Sequence, residues 1–88
     1  MSAYKQLATD TMGLVQAGKL PDALAKLKVL ETTWDKGTHD FKKADKKSWK
    51  VIDKQMDAAI TAASSTSAPD ATAALQKYLD LLAAVPSA

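Results

Sequence analysis

The 88-residue chain has 47% apolar residues, 25% charged residues, a net charge of +2 and no cysteine. Its length allows one hydrophobic core and its composition is typical of a folded protein, so several domains and global disorder are excluded. Without cysteine, neither disulfides nor thiolate zinc sites can hold the fold.

Two amphipathic helices are predicted in the first half of the chain. Apolar residues recur at helical spacing over residues 3–17, and Gly18 can adopt the positive φ that ends a helix there. Pro21 suits the first turn of a second helix, because its missing N–H would have no helical partner at that position. The apolar stripe then continues over several turns. We therefore predict a second helix over residues 21–43, which Gly37 weakens or bends.

Two further helices are predicted after a break in the periodicity. Asp45 is the expected N-cap of a helix over residues 46–64. Small polar residues follow, and Pro69 opens a last helix over residues 69–85. Because the connections are short and each helix has one apolar face, neighbouring helices should run antiparallel. The sequence thus predicts an all-α single domain over residues 1–88, an antiparallel up-down-up-down four-helix bundle, with a three-helix bundle and a frayed first helix as the alternative.

The two tryptophans lie on either side of the turn between the second and third predicted helices. In an antiparallel hairpin they face each other, where they either close one end of the core or line an aromatic cleft. Asp35 and His39 lie one turn apart on the predicted second helix, a spacing that allows two metal ligands on one face, although two ligands rarely make a site. We predict no metal site and no cofactor. The candidate ligand-binding residues are Trp34, Asp35, His39, Trp49 and Asp53.

All twelve cationic residues are lysines. Seven of them lie between positions 36 and 54 against three aspartates, which gives a local net charge of +4. Such a patch attracts an acidic partner, an anionic membrane or nucleic acid. Arginine, the residue preferred for phosphate and guanine recognition, is absent from the sequence, so nucleic acid is not the expected partner. The electrostatic patch is taken as Lys42, Lys43, Lys46, Lys47, Lys50 and Lys54.

The sequence lacks the common motifs of catalysis and membrane insertion. It has no Gly-rich phosphate loop, His-Glu zinc motif or nucleophile elbow, and a single histidine without cysteine leaves little for nucleophilic chemistry. No apolar run reaches the roughly 18 residues that span a bilayer, and the first residues lack the apolar stretch of a signal peptide. Met1 and Ser2 fit either a native start or the replacement of a removed leader.

A longer pattern links the two tryptophans. Residues 30–35 read LETTWD, Trp49 follows, and Ile52-Asp53 and Met56-Asp57 repeat at a four-residue step. This LE-x-x-WD stretch, second Trp and V/I-D-x-x-I/M-D helix resembles a group of small uncharacterised bacterial exported helical proteins. The resemblance covers nearly the whole chain. It implies an extracytoplasmic location and a missing leader, and it implies no known activity.

These patterns favour a non-enzymatic helical module that binds a protein partner or itself. The location is periplasmic or secreted if the resemblance holds, and otherwise cytoplasmic. One alternative is a bundle that binds a small ligand or a metal at its Trp34/Trp49 end. A second alternative is weak electrostatic binding to nucleic acid or anionic lipid through the lysines. An exposed apolar patch would favour the protein-binding hypothesis.

Overall fold

The computed structural model describes residues 1–65 and 67–85, and the regular structure within these ranges is helical. The predicted all-α fold class is confirmed. The predicted domain over residues 1–88 includes residues 66 and 86–88, which lie outside the described residues. Residue 66 also belongs to the predicted loop of small polar residues before the last helix. The helices in chain order are α1 (Ser2–Gln16), α2 (Leu20–Gly37), α3 (His39–Ala44), α4 (Lys46–Ser64) and α5 (Ala68–Ala83).

The end of α1 is built around Gly18, as predicted. Gly18 has a φ of +78°. The Lys19 N–H donates to the Leu14 carbonyl oxygen at 2.9 Å, and the Gly18 N–H donates to that of Val15 at 3.1 Å. These two bonds form a Schellman motif, which satisfies carbonyl groups that the helix end leaves without partners. Pro21 then lies in the first turn of α2, as expected.

The prediction of one continuous helix over residues 21–43 is wrong. The helix ends at Gly37, and α3 begins at His39 after one residue, Thr38, with φ −117° and ψ 21°. A Cβ atom built on Gly37 would overlap the hydroxyl of Tyr4, so glycine lets α1 approach closely there. Thr38 turns its side chain into the interior, where only 3% of it is exposed. Two features therefore coincide with the break, a close contact from α1 and an inward hydroxyl.

The start of α4 confirms Asp45 as its N-cap. The backbone N–H of Ser48 donates to the Asp45 carboxylate at 3.2 Å. Hydrogen bonding from Ser48, first through its side chain and then through this backbone N–H, holds the pKa of Asp45 below its usual value.

The long helices pack around one core. Helix α1 contacts α2 and α5, helix α4 contacts the same two helices, and α3 packs on α4. The fold measures 37 × 19 × 19 Å, so it is elongated along the helices. Its fully buried larger side chains come from α1, α2, α4 and α5 and include Val15, Leu27, Leu30, Trp34, Met56, Leu75, Tyr78 and Leu82.

Candidate functional site

All five aromatic residues of the chain meet at one end of the fold, and each helix contributes one of them. Trp34 lies fully buried at the centre of this aromatic cluster. Its ring centroid lies 6.1 Å from that of Trp49 and the two planes are 19° apart, so the predicted face-to-face pair is confirmed. The other three rings pack edge-on against it, with centroid separations of 5.4 Å for Tyr4, 6.2 Å for Phe41 and 6.3 Å for Tyr78.

Thr38 fixes the orientation of Trp49. Its hydroxyl donates to the backbone carbonyl oxygen of Trp34 and accepts a hydrogen bond from Trp49 Nε1–H at 2.8 Å. The buried hydroxyl is thereby satisfied in both directions. The two bonds join the end of α2 to the start of α4. Thr38 thereby holds Trp49 against the buried Trp34.

A cleft of about 200 Å³ lies beside Trp49. Three of the five predicted ligand-binding residues, Asp35, His39 and Trp49, line this cleft. Trp34 stacks against Trp49, and Asp53 is half-buried on the next turn of α4. The structure therefore brings the predicted set together at one end of the fold. The cleft is lined by Asp35, Thr38, His39, Lys42 and Trp49.

Asp35 and His39 reach this cleft from different helices, which corrects the predicted arrangement. They were expected one turn apart on one helix, but α2 ends at Gly37 and His39 is the first residue of α3. Both side chains are exposed. Within the described ranges, no three His, Asp or Glu side chains come together in a way that could hold a metal ion.

Four carboxyl groups form an acidic row between α2 and α4. Burial is the largest cause that raises the pKa of Asp53, and the carboxylates of Asp57 and Asp35 raise it further. Burial also raises the pKa of Glu31, followed by the effects of the same three aspartates. Carboxylates raise one another's pKa values where negative charge accumulates. These four residues, Glu31, Asp35, Asp53 and Asp57, are called the acidic row below.

Two buried polar atoms in the aromatic cluster, Trp34 Nε1 and the Tyr78 hydroxyl, have no hydrogen-bond partner among the residues that the structure describes. The Trp34 N–H lies close enough to Asp53 to favour the charged carboxylate and so lower its pKa, but no hydrogen bond of normal geometry joins them. Burial raises the pKa of the Tyr78 phenol, with Tyr4 and Asp53 as smaller causes. Leaving a buried donor unsatisfied costs about 1–3 kcal/mol. This end of the core is therefore more polar than stable packing requires.

All six lysines of the predicted electrostatic patch are exposed. Lys42 and Lys43 lie on α3, and the other four, Lys46, Lys47, Lys50 and Lys54, lie on α4. The ammonium of Lys42 lies 4.3 Å from the centroid of the Trp49 ring, in a cation–π contact. This lysine therefore belongs to the aromatic cleft as well as to the patch.

A second concave surface, the Val51 groove, lies where α3, α4 and α5 meet. It has a volume of about 230 Å³. Val51 is 49% exposed in it, unusually so for a valine beside a core. Mostly apolar side chains line the groove, with two charged residues among them: Phe41, Asp45, Lys47, Ser48, Val51, Ile52, Leu81, Ala84 and Val85.

Comparison of the chain with known protein families, with curated proteins and with solved structures finds no match in any of the three. In the part of the chain that the structure describes, no helix is both long and apolar enough to cross a membrane.

Sequence patterns missed three residues of this site. Tyr4 and Tyr78 follow the apolar periodicity of their helices, so the pattern assigned them to the core and gave no sign of their hydroxyl groups. Thr38 follows Gly37 within an apolar stripe, and the sequence does not show whether such a hydroxyl points inward. The glycine before it was the available signal, because it marks the point where the helix weakens.

Proposed function

We propose that the chain is a non-enzymatic helical module that binds another protein. In this proposal the long helices form an antiparallel up-down-up-down four-helix bundle, with α3 as part of the connection between α2 and α4. The contacts of α1 and α4 with both α2 and α5 support that arrangement. The partner would bind at the end of the fold that holds the aromatic cluster.

The Val51 groove is the observation that carries this proposal. A concave apolar surface with charged residues at its edge is typical of a protein-binding site. Val51 can contact a partner without any rearrangement, because about half of its surface is exposed. Asp45 and Lys47 can orient the partner through opposite charges. The natural occupant of such a groove is an apolar side chain of a partner protein or of a second copy of this chain.

The test is a pair of matched valine variants. Val51→Asp places a charge in the groove, whereas Val29→Asp places the same charge at an equally exposed valine (53%) on α2. A protein from the native host, or a second copy in sedimentation experiments, should bind the parent chain and the Val29 variant but not the Val51 variant. Equal binding by both variants, or no binding by the parent chain, would contradict the proposal.

A second candidate function is small-ligand binding at the cleft beside Trp49. It is supported by the way the chain brings the predicted residues Asp35, His39 and Trp49 to one surface, next to the polar atoms buried in the aromatic cluster. Bundle ends and interiors host such sites. Titration of the chain with a ligand panel, monitored by the indole N–H signals of the two tryptophans in NMR spectra, tests this function. Shifts confined to other residues would exclude it.

We also propose that the protein belongs with the exported bacterial helical proteins that its LETTWD pattern resembles, and that it works outside the cytoplasm. The support is the sequence pattern, from Leu30 to Met56-Asp57. Fractionation of the native host, followed by detection of the protein with an antibody, tests the location. Recovery in the cytoplasmic fraction would contradict it.

A further inference from the structure

The Trp49 ring has two neighbours of different character. It stacks with Trp34, which is itself fully buried. The ammonium of Lys42, an exposed residue, lies over the Trp49 ring, 4.3 Å from the ring centroid. Because Trp49 Nε1–H is held by Thr38, the ring cannot turn freely. The cleft therefore has a rigid aromatic wall, and a cation already lies against it.

The residues beside this wall also suit a cation. Asp35 lines the cleft, and Asp53 follows Trp49 by one turn of α4. After burial, which is the largest cause, the neighbouring aspartates of the acidic row raise the pKa values of Asp53 and Glu31 more than the nearby lysines lower them. Aromatic faces flanked by carboxylates bind organic cations, because the ring quadrupole and the anionic oxygens both attract positive charge.

We infer that the cleft beside Trp49 is a binding site for an organic ammonium group, which takes the place of the Lys42 ammonium on the indole face. This inference rests on the second candidate function, and it names the ligand class of that site. The volume of about 200 Å³ is smaller than the roughly 300 Å³ and more of pockets that hold drug-sized molecules, so the site fits a small headgroup.

Displacement of Lys42 is physically reasonable. Its side chain is exposed on a flexible four-carbon stem, and a lysine ammonium is strongly hydrated, so leaving the ring costs it little. A methylated ammonium is less hydrated and covers more of the ring. Lys42 therefore acts as an internal competitor that weakens binding of the external cation but does not block it.

The experiment is an NMR titration of the full chain with choline chloride at constant ionic strength, monitored by the indole N–H signal of Trp49. The uncharged analogue 3,3-dimethylbutan-1-ol, in which carbon replaces the nitrogen, is titrated in parallel. Choline should give a saturable shift, and the alcohol should not. In the Lys42→Met variant choline should bind about two- to fivefold more tightly, because the internal competitor is gone.

Lys43→Met is the matched control. It removes the same charge from the same short helix, but Lys43 lies outside the lining of the cleft as the described residues define it. Equal affinities of the two methionine variants, or equal shifts with choline and the alcohol, would overturn the inference. Zinc chloride and sodium phosphate are further probes. A saturable shift of Trp49 with one of these but not with choline would overturn the ammonium class and leave the ligand site standing. If no probe moved Trp49, the inference and the second candidate function would both fall.

Discussion

The buried hydroxyl of Thr38 should contribute more to stability than any surface threonine of the neighbouring helix α2. Thr38→Val keeps the shape of the side chain but removes both hydrogen bonds, to the Trp34 carbonyl oxygen and from Trp49 Nε1–H. The indole N–H then loses its acceptor at a half-buried position, and an unsatisfied donor of this kind costs about 1–2 kcal/mol. In a domain of this size each kcal/mol lowers the melting temperature by about 4–8 °C. We expect a decrease of about 5–15 °C, measured by circular dichroism.

Thr32→Val is the control for this prediction. Thr32 makes the same type of bond to the carbonyl oxygen four residues earlier, to Lys28 at 3.1 Å, but it is exposed. Its replacement should change the free energy of unfolding by less than about 0.5 kcal/mol. Hydrogen exchange of the Trp49 indole N–H should also become faster in the Thr38 variant alone. The reasoning is refuted if the two variants are equally stable, or if that exchange rate does not change.

Three further predictions concern glycine, tyrosine and aspartate positions. Gly37→Ala should lower stability in urea unfolding, because the new methyl group displaces the Tyr4 ring. Gly13→Ala should instead raise it by about 0.5–1 kcal/mol, since a Cβ there meets no atom of the described chain within 4 Å. Tyr78→Phe should raise stability by about 1 kcal/mol, because it removes a hydroxyl that has no partner among the described residues; a loss above 1 kcal/mol would show that the hydroxyl is satisfied. Asp53 has a raised pKa in the folded chain, so its contribution is most favourable below its unfolded pKa and is lost as the pH rises through the folded value. Asp53→Asn should therefore stabilise the fold at pH 7, and the difference should vanish below about pH 4; a difference that is independent of pH would contradict this.

Local chemistry allowed the helix ends to be predicted from the sequence. Gly18, Pro21 and Asp45 each act within a few residues of their own position, through positive φ, a missing N–H and a capping carboxylate. The break between α2 and α3 coincides instead with a close contact from Tyr4, which is more than thirty residues away from Gly37 in sequence. A helical periodicity contains no information about such a contact, so the pattern predicted one long helix.

The sequence predicted the tryptophan pair of the candidate site but not the helix break beside it. Trp34 and Trp49 flank one turn, so hairpin geometry alone placed them face to face. Asp35 and His39 line the same cleft across a helix break that the sequence did not show, since α2 ends at Gly37 and His39 begins α3. Lys42, which makes the cation–π contact with Trp49, lies on the helix that follows this break.

The two ends of the fold are built from side chains of different size, and this difference explains where function can lie. At the far ends of the long helices the buried residues are small, among them Val15, Ala23, Ala62 and Ala71. Small side chains allow helices to approach closely, because the distance between helix axes depends on the residues at the contact.

The aromatic end must instead accommodate five rings, and in residues 1–65 and 67–85 it leaves Trp34 Nε1 and the Tyr78 hydroxyl without partners. A core that served stability alone would use side chains without polar atoms at such positions. Both the cleft beside Trp49 and the Val51 groove open at this same end, where Phe41 belongs at once to the cluster and to the groove. Because natural proteins retain unfavourable local features mainly at functional sites, the polar aromatic end is the part of this molecule at which binding should be sought first.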